Sequence, residues 1–185
     1  MKILPRTFYA RNTVNVAKDL LGKILVRKIG KKIISGIITE TEAYRYKDDP
    51  ASHAFRGLTD RNKVMFGQVG IAYVYFTYGM HYCVNAVARS SSYDAGAVLI
   101  RGIQPEKGIE AMFKNRGMKT LSNLTNGPAK LTQAMQISKK QYGEDLSTTS
   151  SLYITEGIKI KKITSSPRIG IKNGNDKLWN FKMRI

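Results

Sequence analysis

Cysteine is almost missing: Cys83 is the only one in 185 residues, so neither an internal disulfide nor a zinc site built from several thiolates is available. Two histidines, His53 and His81, are too few for a histidine-rich metal centre. Acidic side chains are scarce as well, 13 against 31 Lys plus Arg, which leaves a net charge of +18 and a pI near 10.1. The most apolar stretch, residues 71–88, has membrane-spanning length. It is interrupted by Tyr73, Tyr75, Tyr78, His81, Tyr82 and Asn85, and its residue types suit a sheet, so no transmembrane segment is expected. Only Ile3, Leu4 and Pro5 separate Lys2 from Arg6, which is too short for a signal-peptide core, and a cytoplasmic location is expected.

What is present is a chain able to fold. With 42% hydrophobic and 24% charged residues it can bury a core, and wholesale disorder is excluded. The excess of positive charge points to a polyanionic partner, nucleic acid before an anionic membrane surface. The 31 basic residues are spread along the chain, so no basic tail accounts for the charge. The length fits one domain, or two very small ones. With no repeat, and with 142–151 as the only polar joint, a single domain over 1–185 is the simpler reading.

Asn12-Thr13 ahead of Val14, Val16, Ala17, Leu20 and Leu21, with Gly22 beyond, reads as a short capped helix. Two strand-like runs follow, 23–29 and 32–44, and Gly30-Lys31 between them suits a tight turn. Residues 45–70, rich in Asp, Pro, Gly and Ser, are expected to form a long ordered loop of the kind that carries function. The runs 71–77 and 80–88 are predicted to pair as a β-hairpin turning at Tyr78-Gly79. Residues 97–103 read as a strand, and Pro105 as the opening of a helix through Ile109, Met112 and Phe113 that Gly117 ends. Pro128 reads as the opening of another helix. Strand-like patches return at 152–154, 158–163 and 168–171.

Period two within 36–44 places Glu40, Glu42 and Tyr44 on one strand face. Paired carboxylates are unexpected beside an anion-binding surface. They are either an acidic, solvent-facing strand edge or a site in which a carboxylate activates water or stabilises a cation. His53 follows Asp48 and Asp49, but the spacing matches no metal-ligand template, and a base-contacting or structural histidine fits better. Tyr73 and Tyr75 share one face and are either core or contact surface. Tyr78 at a turn is costly unless it meets a partner, and nucleic-acid proteins insert such rings into the base stack. Asn85 suits either a reader of a base edge or a buried amide with a backbone partner. Arg101, ending an apolar strand, needs a carboxylate or a phosphate, and Glu40 or Glu42 would serve. Asn126-Gly127-Pro128-Ala129-Lys130 combines free backbone N–H groups with one lysine, which suits a phosphate.

The blocks ETEAY (40–44), DPASHA (49–54), RNKVMF (61–66), YVYFTYGMHYCVN (73–85), AVLIR (97–101), GPAKL (127–131) and RIGI (168–171) resemble, in order and spacing, the alkyladenine (3-methyladenine) DNA glycosylase family over about residues 5–181. The resemblance implies a single α+β domain with a curved, mostly antiparallel sheet, flanking helices and a protruding β-hairpin that enters the DNA minor groove. It implies hydrolysis of the N-glycosidic bond of alkylated or deaminated purines. Glu42 matches the water-activating carboxylate, and Arg101 and the backbone carbonyl of Ile169 match the groups that hold that water. Tyr44, His53 and Tyr75 match the pocket that stacks on the flipped base, Asn85 the residue that disfavours a purine 2-amino group, and Tyr78 the side chain that fills the gap in the duplex. Arg61 and Lys130 match DNA contacts. No metal or other cofactor is implied. No matched block supplies a pocket amine, so a monofunctional enzyme is expected, acting as a monomer on double-stranded DNA that contains damaged purines.

Three positions depart from the pattern. Tyr46 stands where relatives often have Gly, Val69 where they often have Pro, and Leu178-Trp179-Asn180-Phe181 where they often have Pro-Trp-Arg-Phe, so Asn180 lacks a charge otherwise assigned to DNA. Two other classes are open: a hydrolase of free nucleosides, which needs neither +18 nor an exposed Tyr78, and a basic architectural protein in which Glu42 is incidental.

Overall fold

The structure, a computed structural model, describes residues 2–184. Asn12 starts the first sizeable helix by accepting the backbone N–H groups of Val14 and Asn15 at 3.0 and 3.4 Å, the usual way a cap satisfies the orphan donors of a first turn. Helices α1 (Arg6–Tyr9) and α2 (Thr13–Asp19) precede β1 (Ile24–Ile29) and β2 (Lys32–Arg45). Then come α3 (Lys63–Phe66), β3 (Ala72–Thr77), β4 (His81–Val87), β5 (Gly96–Lys107), α4 (Ile109–Arg116), α5 (Pro128–Ala134), β6 (Leu152–Thr155), β7 (Ile163–Ser166) and β8 (Asn180–Met183).

The strands form one curled antiparallel sheet ordered β3-β4-β5-β2-β1-β6, with β8 on β2 and β7 outside β8. β2 organises it. One edge pairs with β5 along its length, while the other pairs with β1 over 32–37 and with β8 over 40–42. Val16, Ala17, Leu20 and Leu21 of α2 and its C-terminal turn are buried with Ile38, Ala43 and Ile100 in the main core. Each buried valine, leucine or isoleucine among them contributes about 1.5–3 kcal/mol by leaving water. Thr41 is fixed to this side by a 2.7 Å bond from Oγ1 to the Ala17 carbonyl, which leaves Glu40 and Glu42 on the other face.

The β2–β5 register slips around Glu40: Ile38 faces Ile103, Glu40 faces Gly102 and Thr41 faces Ile100. Thr39 and Arg101 thus drop out of the ladder, and such bulges bend a strand and re-aim its side chains. Beyond the bulge, a single transverse row crosses six strands: Tyr73 opposite Asn85, Asn85 opposite Leu99, Leu99 opposite Glu42, Glu42 opposite Asn180, and Asn180 opposite Ser166. Side chains in one row of an antiparallel sheet share a face.

Several elements differ from expectation. Pro105 opens no helix; it lies inside β5, paired with Gly36 beside a register shift, one of the few places where a ladder tolerates a proline. Gly36 is required there, because a Cβ would meet the Gln104 carbonyl at 2.6 Å. The helix begins at Ile109, after Gly108 reverses the chain at φ +72°. Residues 158–162 and 168–171 form no strand; β7 starts at Ile163, and the chain at Arg168 turns its side chain inward. β8 was not anticipated at all. The loop 45–70 is largely as expected, with α3 inside it, and Asn62 ties it together by donating to the carbonyls of His53 and Gly57 at 2.8 and 2.9 Å.

Candidate active site

The shared face of β3, β4, β5 and β2, closed by the loops 50–53 and 169–173, encloses a pocket of about 340 Å³. Small-molecule sites occupy roughly this size range. Tyr44, His53, Tyr75, Asn85, Leu99 and Arg101 are in its wall, together with Ile169 and Tyr78.

Glu42 is 0% exposed, and a buried carboxylate survives only when its oxygens are bonded. Oε1 accepts the Ile169 backbone N–H at 2.8 Å and the Asn180 amide at 3.0 Å; Oε2 accepts the Tyr44 hydroxyl at 2.7 Å and Arg101 Nη1 at 3.3 Å. Arg101 also gives Nε to Glu40 Oε1 at 2.9 Å, and Lys182 Nζ lies 3.5 Å from the same oxygen. Glu40 and Glu42 are therefore not an acidic strand edge. Burial, and then the neighbouring Glu42 charge, raise the Tyr44 phenol far above its ordinary range, so it stays a donor.

The aromatic wall is equally specific. His53 Nδ1 is 2.9 Å from the Tyr73 hydroxyl, and its ring meets Tyr75 edge-on with centroids 4.6 Å apart. Burial, helped by the Arg61 charge, pushes the His53 imidazole down to about 4, although the residue as a whole is exposed. Burial pushes the Tyr73 phenol up to about 12 against the opposing pull of Arg61. Both rings are therefore neutral hydrogen-bonding partners at neutral pH. Arg61 itself donates to the Phe76 carbonyl at 3.3 Å and stands over the Tyr75 ring at 5.2 Å. Asn85, buried, gives its amide to the Tyr73 carbonyl at 2.9 Å while still lining the pocket.

Tyr78 is 83% exposed at the end of the β3–β4 pair. Met80 N–H closes the turn on the Thr77 carbonyl at 3.3 Å, with Tyr78 and Gly79 at φ +52° and +68°. Two successive left-handed residues are the type I′ pattern, natural for Gly79 and strained for a tyrosine. Lys130 lies apart, with Nζ held by Asn123 and, at 3.0 Å, by Asn126.

Sequence reasoning missed the support behind this wall. Arg168, fully buried, holds Asp49 with two bonds of 2.6 Å, donates to the Ala43 carbonyl at 2.8 Å and covers the Tyr44 ring at 4.7 Å. That pair brings Ile169 to Glu42. Asp48 is paired with Arg45, and among the described residues no group of three or more His, Cys, Asp or Glu is placed to hold a metal ion. The sequence pattern gives Asn180 only as the loss of a charge otherwise assigned to DNA, yet it is 0% exposed and bonds both carboxylates. The signals were faint: an aspartate before Pro50 and a lone arginine before Ile169.

A family model described as methylpurine-DNA glycosylase (MPG) matches residues 7–184. This chain belongs to that family. A relative from Carboxydothermus hydrogenoformans, named "Putative 3-methyladenine DNA glycosylase", is 50% identical over 184 residues, covering 98% of this chain and 95% of its own. One of the same name from Prosthecochloris aestuarii is 50% identical over 94% of this chain and 84% of its own. Another from Methanocella arvoryzae is 45% identical over 98% and 92%. Family membership makes this chain a DNA glycosylase of base excision repair, a monofunctional hydrolase of N-glycosyl bonds. Among the described residues no helix is long and apolar enough to cross a membrane.

Proposed function

We propose that this glycosylase draws an alkylated or deaminated purine out of double-stranded DNA into the 340 Å³ pocket and hydrolyses its N-glycosidic bond with a water activated by Glu42. The observation that carries the reading is Glu42 itself: buried, ionisable and held by four donors, three of which, Tyr44, Arg101 and Ile169, line the pocket.

Each oxygen of Glu42 already accepts two hydrogen bonds, so a water reaches it only when a donor yields. The Arg101 contact, at 3.3 Å the longest of the four, is the one to yield, since Arg101 keeps Glu40. The incoming water then takes that place on Oε2. As the bond to the base breaks, positive charge develops on the sugar; the carboxylate stabilises it and accepts the proton of the attacking water. Alkylation at a ring nitrogen makes the base both cationic and a good leaving group. Electron-rich rings such as Tyr44 and Tyr75 attract a cation by about 0.5–2 kcal/mol, which favours damaged over normal purines. Neutral His53 neither repels that cation nor competes with Glu42 for charge. Extruding a base costs a few kcal/mol, offset by stacking in the pocket and by Tyr78 entering the gap, while surface lysines and arginines, Arg61 and Lys130 among them, bind phosphates. One flipped base needs one copy of the chain, so a monomer suffices.

The test uses end-labelled duplexes with a single hypoxanthine or alkylated purine, no added metal, and alkaline cleavage of abasic sites. Wild type should yield product and Glu42→Gln none. Equal product from both would remove Glu42 from the reaction, and salt-sensitive binding without product from any lesion would favour an architectural protein.

A further inference from the structure

Of the four groups that hold Glu42, Asn180 alone is absent from the pocket wall. Tyr44 and Arg101 face the space that substrate must enter, and Ile169 belongs to a loop residue that is 51% exposed. Asn180 instead sits on β8, directly opposite Glu42 in the ladder, at 0% exposure. Its Nδ2 group spans both carboxylates, 2.8 Å from Glu40 Oε1 and 3.0 Å from Glu42 Oε1, and its Oδ1 accepts Ser166 Oγ at 3.4 Å. Every hydrogen-bonding capacity of the amide toward the carboxylates is used. The orientation is unambiguous, because only the NH₂ end can face two carboxylates.

We propose that Asn180 is a positioning residue for hydrolysis: it holds Glu42 Oε1 from behind while Oε2 exchanges Arg101 for water. This rests on Glu42 being the water-activating carboxylate. Two features make a neutral amide suited to the place. Arg101 already brings one full positive charge to the pair, and Lys182 is near Glu40. With those cations in place, an amide at 180 satisfies the oxygen without adding a charge of its own to the pair. Glu40 completes the device. By accepting from both Asn180 and Arg101 it fixes the two donors that flank Glu42, so Arg101 can swing off Oε2 without leaving the site.

Asn180→Asp and Asn180→Leu are both near the size of asparagine; one inverts the donor and the other deletes it. Each variant, its fold checked by thermal unfolding, is compared with wild type in single-turnover excision with enzyme in excess and in Kd for the lesion duplex. Misplacing a reacting group by about 1 Å can cost 10²-fold in rate, so the excision rate should fall by about that factor while Kd changes less than about threefold. A rate within about threefold of wild type in a folded variant, or rate and affinity falling together, would overturn the proposal. If Asn180→Asp does not fold, Asn180→Leu gives the reading, and the reverse. Glu42→Gln run alongside separates the two ideas. An inactive Glu42→Gln with fully active Asn180 variants rejects only the role of Asn180, whereas an active Glu42→Gln rejects the site itself.

Discussion

His53 is a neutral wall of the pocket by construction, and that has a consequence for stability. Its folded-state value of about 4 lies below the ordinary 6.5, so between those pH values the unfolded chain binds a proton that the folded chain refuses. Stability from this residue is intact above about pH 6.5 and is lost as pH falls toward 4. Denaturant unfolding of wild type and His53→Gln at several pH values isolates the effect, because other groups cancel in the difference. The wild-type advantage should shrink below pH 6.5, and a flat difference would contradict it. Period two sufficed to read Glu40, Glu42 and Tyr44 as one face, and Arg101 as their partner, because alternation survives the bulge at Thr39. Asn180 was illegible for the opposite reason. Its role comes from lying opposite Glu42 across a pairing 138 residues long in sequence, and local pattern carries no trace of that register.

The element that completes the site is the return loop after β7, and it hangs on the Arg168–Asp49 pair. Both side chains are fully buried, and Asp49 also accepts the backbone N–H groups of Arg45 and Ala51, at 3.1 and 3.3 Å. Asp49→Asn keeps the shape and removes the charge, leaving Arg168 buried without its counter-ion, a change that costs about 3–5 kcal/mol. Urea unfolding should show that loss. Excision should also fall by more than DNA affinity, because the Ile169 N–H would no longer be held on Glu42. A loss below about 1 kcal/mol would mean that the tyrosine and tryptophan rings stacked on Arg168 hold the loop unaided. At this scale the sequence was legible where apolar periodicity was local, as in α2 and β1 to β4, and at α5, where Pro128 marks the start. It misled where a residue's usual habit was overridden by pairing, as when β2 drew Pro105 into β5. It was silent on β8, four residues whose strand state depends on the edge of β2 they meet.

Across the whole molecule, two kinds of DNA affinity are built separately. The +18 charge is distributed and is indifferent to sequence and lesion, so binding to undamaged duplex should weaken steeply with salt. About six phosphate contacts give roughly a 10³-fold loss between 50 and 200 mM, measurable by fluorescence anisotropy. In the proposed function, discrimination falls to the exposed Tyr78 and to the pocket behind it. Tyr78 holds φ +52°, a conformation costing a side chain such as tyrosine about 1–3 kcal/mol, and strain of that size persists at working sites. Tyr78→Gly removes both the strain and the ring. Its thermal midpoint should therefore hold or rise and its salt slope should match wild type, while its excision of a well-paired lesion should drop by about tenfold or more, since 1.4 kcal/mol of lost stacking already corresponds to that factor. If Tyr78→Gly changed the salt slope, the ring would belong to the phosphate-binding surface. If it excised as fast as wild type, the turn would be strained for no purpose in base extrusion, and the gap left by the base would have to be filled by another side chain.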